Sequence, residues 1–111
     1  MKTELTTEQS NHLIELGIPE DWASLCEQAF DDGYRKNPIF TLDDLLKILP
    51  KEIELTDRIY NLDIVFWSNE VMGIYNIGAM FPIMIKKGNE LIEVLYELTV
   101  WCLENNYLKF E

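Results

Sequence analysis

Positive charge is scarce in this chain of 111 residues, which sets nine Lys and Arg against 20 Asp and Glu for a net charge of −11. No base lies between Lys2 and Arg35, a span that holds eight acids, and none lies between Gly88 and Leu108, which holds four. The bases gather at Arg35 and Lys36, at Lys47, Lys51 and Arg58, and at Lys86 and Lys87. A phosphate backbone has to be met by cations, so direct binding of DNA or RNA is disfavoured. Acidity of this kind either keeps a protein soluble or favours a basic partner.

Cysteine and histidine are nearly lacking too. Cys26 and Cys102 are the only thiols and fit no CxxC or zinc spacing. Both fall within apolar periodicity, which predicts buried, reduced thiols of a cytoplasmic protein. His12 is the only histidine, so no zinc site or catalytic triad can be assembled around a second one. Its neighbours Glu8 and Glu15 stand at helical spacing, as in a solvated surface pair. No apolar run reaches the ~20 residues of a membrane span, and MKTELTTEQS has no apolar secretory segment. There is no Gly-rich phosphate loop and no GxSxG. Asp31-Asp32-Gly33 lacks the spacing of a calcium loop and reads as a turn. Asp43 and Asp44 follow Thr41 as cap and first-turn acids, not as a catalytic pair. These absences predict no cofactor, no metal and no enzyme.

What is present suits a folded core. Apolar residues make up 48% of the chain and aromatics 12%. A chain of this length forms one domain, residues 1–111, and buries roughly two thirds of its unfolded surface. Thr6, with Gln9 three residues on, starts a helix that Gly17 stops. Trp22, Leu25, Cys26, Ala29 and Phe30 recur at helical spacing and predict a second helix over 19–30. Residues 31–38 read as a loop. Thr41 caps a short helix that Pro50 ends.

The period then changes to two. In YNLDIVFW, residues 60–67, Leu62, Ile64 and Phe66 share one side, and Asn61, Asp63, Val65 and Trp67 the other. Ser68-Asn69-Glu70 is a hairpin-length connection to a strand over 71–77, and Gly78-Ala79 turns into a third strand over 80–85. Pro82 cannot donate to a ladder, which puts that third strand at a sheet edge.

NELIEVLYELTVWCLENN, residues 89–106, forms the last helix. On a helical wheel its uncharged residues cover about 220°, while Glu90, Glu93, Glu97 and Glu104 crowd into about 60°. An apolar arc so wide needs two covering layers, so the helix is interior scaffolding with one wet glutamate edge. Trp101, beside that edge, is the residue expected to be partly exposed. The fold class is therefore α+β: N-terminal helices, a three-stranded antiparallel β-meander, and a long C-terminal helix packed on the sheet.

If Leu62, Ile64 and Phe66 face the helix, Val65 and Trp67 lie on the opposite sheet face, joined by Tyr75 if the register allows. That face is either closed by the N-terminal helices or left open for a partner. The candidate interaction surface is Val65, Trp67, Tyr75 and Trp101 with Glu90, Glu93, Glu97 and Glu104.

LIELGI (13–18), LLKILPKEI (45–53), YNLDI (60–64) and ELIEVLYELTVWCLENNYL (90–108) together resemble a group of small uncharacterised proteins. These are carried by gut-type bacteria and their prophages or other mobile elements. The likeness runs over most of the chain and rests on structural motifs. It implies a phage or mobile-element setting and no activity or functional residue. The expected function is a non-enzymatic protein-interaction module, binding an unknown protein partner or a second copy. The alternatives are an acidic inhibitor that mimics nucleic acid towards a DNA-binding protein, which needs the carboxylates on one face, and a small carboxylate-based hydrolase, which needs two acids in a cleft.

Overall fold

The computed structural model describes residues 2–29, 35–56, 58–77 and 81–108. Helix α1 (Thr7–Glu15) leads through a single 3-10 turn (Glu20–Trp22) to strands β1 (Leu25–Ala29) and β2 (Arg35–Ile39). Helix α2 (Leu42–Ile48) follows, then β3 (Glu52–Leu55), β4 (Arg58–Trp67), β5 (Glu70–Ile77), β6 (Phe81–Gly88) and helix α3 (Leu91–Glu104). The class is α+β, but the meander has four strands where the sequence predicts three. Its order is β3-β4-β5-β6, all neighbours antiparallel, and β1-β2 is a separate two-stranded sheet.

Both N-terminal helices start where their caps lie. The Gln9 N–H donates to Thr6 Oγ1 at 3.1 Å, and the Thr6 N–H donates back to Gln9 Oε1 at 3.0 Å. At the other end Gly17 adopts φ +122°, the Ile18 N–H donates to the Leu13 carbonyl, and the Gly17 N–H donates to that of Ile14. This reverse turn needs a residue without Cβ, and it buries Leu13 and Ile18 together under the helix end. At α2 the Thr41 and Asp44 side chains and backbones make the same reciprocal pair.

Asp44 also explains why residues 19–29 of the expected second helix are not helical; residue 30 lies outside the described residues. A helix there would bond the Ser24 N–H to the Glu20 carbonyl. Instead the Ala23 N–H takes that carbonyl at 3.1 Å, closing a 3-10 turn, and Asp44 Oδ2 accepts from both the N–H and the Oγ of Ser24 at 2.9 Å. Trp22 and Leu25 remain 39% and 47% exposed, so their helical spacing buries no face. The chain extends as β1 and pairs with β2, Leu25 opposite Ile39 and Ala29 opposite Arg35. Residues 35–38 of the expected loop are therefore strand; residues 31–34, with Asp31-Asp32-Gly33, lie outside the described residues, as do Gly78 and Ala79.

Burial alone would push the Asp44 carboxyl up, but hydrogen bonds from Thr41 and Ser24 outweigh it and hold it below its ordinary 3.8. Asp44→Ala is expected to cost about 1–2 kcal/mol at neutral pH, the scale of a lost cap. Because the folded pKa is depressed, this contribution is present above the unfolded value and fades as pH falls through the folded one. Urea unfolding of both proteins at pH 7 and near pH 2 checks it: the gap between their midpoints should shrink in acid.

The N-terminus is stitched to the middle of the chain. The Leu5 N–H donates to the Phe40 carbonyl at 2.9 Å, the Leu42 N–H donates to that of Thr3 at 2.8 Å, and the buried Ser10 Oγ accepts from the Phe40 N–H. α1 and α2 both pack on α3, and α3 packs on β5 and β6. The result is three layers: the four-stranded sheet, α3, and the N-terminal elements. Ile92, Val94, Leu95, Leu98, Thr99, Cys102 and Leu103 of α3 are buried. The Thr99 hydroxyl donates to the Leu95 carbonyl four residues back at 2.7 Å, so burial leaves it satisfied.

Sheet and helix meet closely at Gly73, where an added Cβ would lie 2.5 Å from Leu98 Cδ1 and 3.1 Å from Val94 Cγ1. Leu62, Ile64 and Phe66 of β4 pair with Tyr75, Gly73 and Val71 and so share this inner face, as the alternation predicts. β6 is an edge strand, as Pro82 requires, and the register shifts by one residue at Tyr75/Asn76 opposite it. Pro82, Lys86, Lys87 and this bulge discourage pairing of that edge with another strand.

Candidate interaction surface

The outer face of the sheet is built in cross-strand rows. Asn61 lies between Glu52 and Asn76; Asp63 is opposite Ile74, itself opposite Ile85; Val65 is opposite Met72, itself opposite Lys87; Trp67 is opposite Glu70. Ile59, beside Glu54, continues the same face. The described helices pack elsewhere: α3 lies on β5 and β6 from the side of Gly73, and α1 and α2 pack on α3. Trp67 is 60% exposed, Ile59 49% and Ile85 42%, while Met72 is buried among its neighbours. Of the two routes open to this face, closure by the N-terminal helices is not the one taken.

Val65 is half-buried on this face and Trp67 stands at its end. Tyr75 does not join them. Its register puts it on the inner face, fully buried, with its hydroxyl donating to the Pro50 carbonyl at 2.8 Å. Its ring lies 5.8 Å from that of Trp101, which in turn lies 5.0 Å from Tyr107. Burial pushes the Tyr75 hydroxyl far up from its ordinary value. Residues 71–75 are apolar on both phases, so the alternation alone does not decide which face Tyr75 takes. Phe66 belongs to the inner face yet is 63% exposed, because it lies at the hairpin end with Trp67. These two line an open cleft of about 420 Å³ with the start of α3.

Trp101, half-buried, sits beside the glutamate edge of α3. That edge is not uniformly free. Glu93 accepts from Lys2 Nζ at 3.0 Å and from Gln9 Nε2 at 2.8 Å, and Glu90 accepts from the Lys2 backbone N–H at 3.4 Å. Burial tends to raise the Glu93 carboxyl, but these two side chains bring it below its usual value. Only Glu97 and Glu104 point fully to water. So Glu90 and Glu93 tie the N-terminus to α3, while Glu97 and Glu104 make no such tie among the described residues. His12 lies against Tyr96, ring centroids 6.3 Å apart.

Cys102 is buried as expected, its thiol pushed up to about 11 by burial against the opposing effect of the Tyr75 hydroxyl. Cys26 is exposed, against expectation, because β1 lies at the surface where a buried helix face is predicted. Among the described residues no group of three or more His, Cys, Asp or Glu is arranged to hold a metal ion. No helix among them is long and apolar enough to cross a membrane.

Exposed carboxylates of the described residues lie on both sides of the molecule. Glu8, Glu15, Glu20, Asp21, Asp43, Glu97 and Glu104 lie with the helical layers, whereas Glu52, Glu54, Asp63 and Glu70 lie on the outer sheet face. Residues outside the predicted surface complete the outer face: Ile59, Asp63, Met72, Ile74 and Ile85. The alternation of β4 already places Asp63 with Val65 and Trp67; the β5 and β6 members depend on register.

Compared with protein-family models, with curated proteins and with solved structures, the chain matches none.

Proposed function

We propose that this protein is a non-enzymatic interaction module that docks a protein partner on the outer face of its four-stranded sheet. The observation that carries this reading is the uncovered apolar set on that face, with Trp67, Ile59 and Ile85 each more than two fifths exposed. A sheet with one face packed on a helix normally turns polar side chains to water on the other. Here the outward positions mix the apolar Ile59, Val65, Trp67, Met72, Ile74 and Ile85 with the carboxylates Glu52, Glu54, Asp63 and Glu70. Aromatic residues at the rim of such a patch are the usual energetic anchors of a protein interface. The resemblance to small phage and mobile-element proteins adds a phage-derived setting to the proposal; a gene placed among housekeeping genes with no phage neighbours would count against that part.

The test compares partner capture by four immobilised proteins in lysate of the source cells: wild type, Ile74→Asp, Trp67→Ala, and Glu97→Ala on the helical side. Wild type and Glu97→Ala should retain the same protein, and the two sheet-face variants should lose it while keeping the wild-type circular dichroism spectrum. Retention of the same proteins by all four contradicts the reading.

A further inference from the structure

We infer that the partner of the outer sheet face is a basic protein surface that brings a cation to Asp63, and not a second copy of this chain. The inference rests on the reading of that face as a docking surface and adds the chemistry of its occupant. Asp63 stands directly opposite Ile74, with Val65 two residues along the same strand and Ile85 next across the sheet. It is exposed, and among the described residues it has no ion pair or hydrogen bond. An apolar partner laid over this row would strip water from the carboxylate and leave the charge unpaired, which is the costliest arrangement an interface can contain. A partner Arg or Lys at that point turns the cost into a charge-assisted hydrogen bond.

A second copy is a poor source of that cation. Among the described residues the outer face carries the carboxylates Glu52, Glu54, Asp63 and Glu70 against the single ammonium of Lys87, which lies on the edge strand in the row of Val65 and Met72. Two such faces brought together repel each other. A basic surface with an apolar centre is complementary in both respects: its cations meet the acidic flanks, and its apolar groups meet Val65, Ile74 and Ile85. Long-range attraction between the two also speeds their encounter and makes it sensitive to salt.

Two measurements on the full chain test this. In the first, twelve-residue peptides alternating Val with Arg, with Ser or with Glu are titrated into labelled protein and backbone amide shifts are followed. The Arg peptide should bind at Asp63, Val65, Met72, Ile74 and Ile85, weaken as salt rises from 50 to 500 mM, and lose about tenfold in affinity to Asp63→Asn. Equal binding of the Ser peptide, or no effect of Asp63→Asn, overturns the partner chemistry while the docking face stands. Shifts confined to the helical side, or no binding by any of the three peptides, overturn both. In the second, sedimentation equilibrium should find the wild type monomeric and Asp63→Leu self-associating through the now uncharged patch. A wild-type dimer that Asp63→Lys disperses would overturn the exclusion of a second copy.

Discussion

Leu98→Asp is expected to leave the chain unfolded at neutral pH and room temperature. Leu98 is fully buried at the centre of α3, against the backbone of β5. Removing its side chain from the core forfeits about 1.5–3 kcal/mol of burial. Placing a carboxylate there adds several kcal/mol, because it would lie within the apolar core cluster. A domain of this size has roughly 5–15 kcal/mol of stability in total, so the two losses together consume most or all of it. Far-UV circular dichroism and amide shift dispersion read the outcome directly. The control is Glu97→Ala on the wet edge of the same helix, expected to change stability by no more than about 0.5 kcal/mol.

Gly73→Val should be the next most damaging substitution. The contact leaves no room for even a methyl group, since a Cβ would fall 2.5 Å from Leu98 and 3.1 Å from Val94. Both of those residues are fully buried, so neither can swing aside into solvent. Overpacking of this kind costs about 1–3 kcal/mol, and the expected value lies near the upper end. Leu98→Ala alone should cost about 2–5 kcal/mol by opening a cavity. The two changes are complementary in volume, so the double variant should fall short of the summed losses by about 1 kcal/mol or more. Strict additivity in denaturant unfolding would mean that β5 and α3 do not meet at this point.

The capping boxes show what was legible in the sequence. Thr6 with Gln9 and Thr41 with Asp44 are local signals: donor and acceptor lie within four residues, and no distant contact is needed to form them. The burial of α3 was legible for a similar reason, since its apolar arc is too wide for a surface helix. The alternation in β4 likewise assigns its two faces. What failed depended on distant partners. Trp22, Leu25 and Cys26 have helical spacing, but Asp44, 20 residues away from Ser24, captures the N–H that would have propagated the helix. β3 is only four residues long, and its alternation follows directly on Pro50 and the leucine-rich α2. The face taken by Tyr75 goes with a register that sets Gly73 beneath Leu98, which no alternation reveals in the stretch 71–75, apolar on both phases.

In the candidate surface, the same distinction holds. Val65, Asp63 and Trp67 share the outer face by simple parity along one strand, whereas Ile74, Met72 and Ile85 are brought beside them by cross-strand pairing. The glutamates of α3 sit where the helical wheel puts them. Their engagement by Lys2 and Gln9, more than 80 residues earlier in the chain, has no local signal.

The enclosure of α3 between the sheet and the N-terminal elements underlies both the stability of the domain and the freedom of the outer sheet face. Thiol labelling tests it in one step, because Cys26 is exposed and Cys102 is buried within α3. A thiol-reactive chromophore added to the native protein should modify one cysteine per chain at once, abolished by Cys26→Ser, with the second reacting only as denaturant unfolds the domain. Prompt modification of both thiols in the native protein, with Cys102 as reactive as Cys26, would contradict the account.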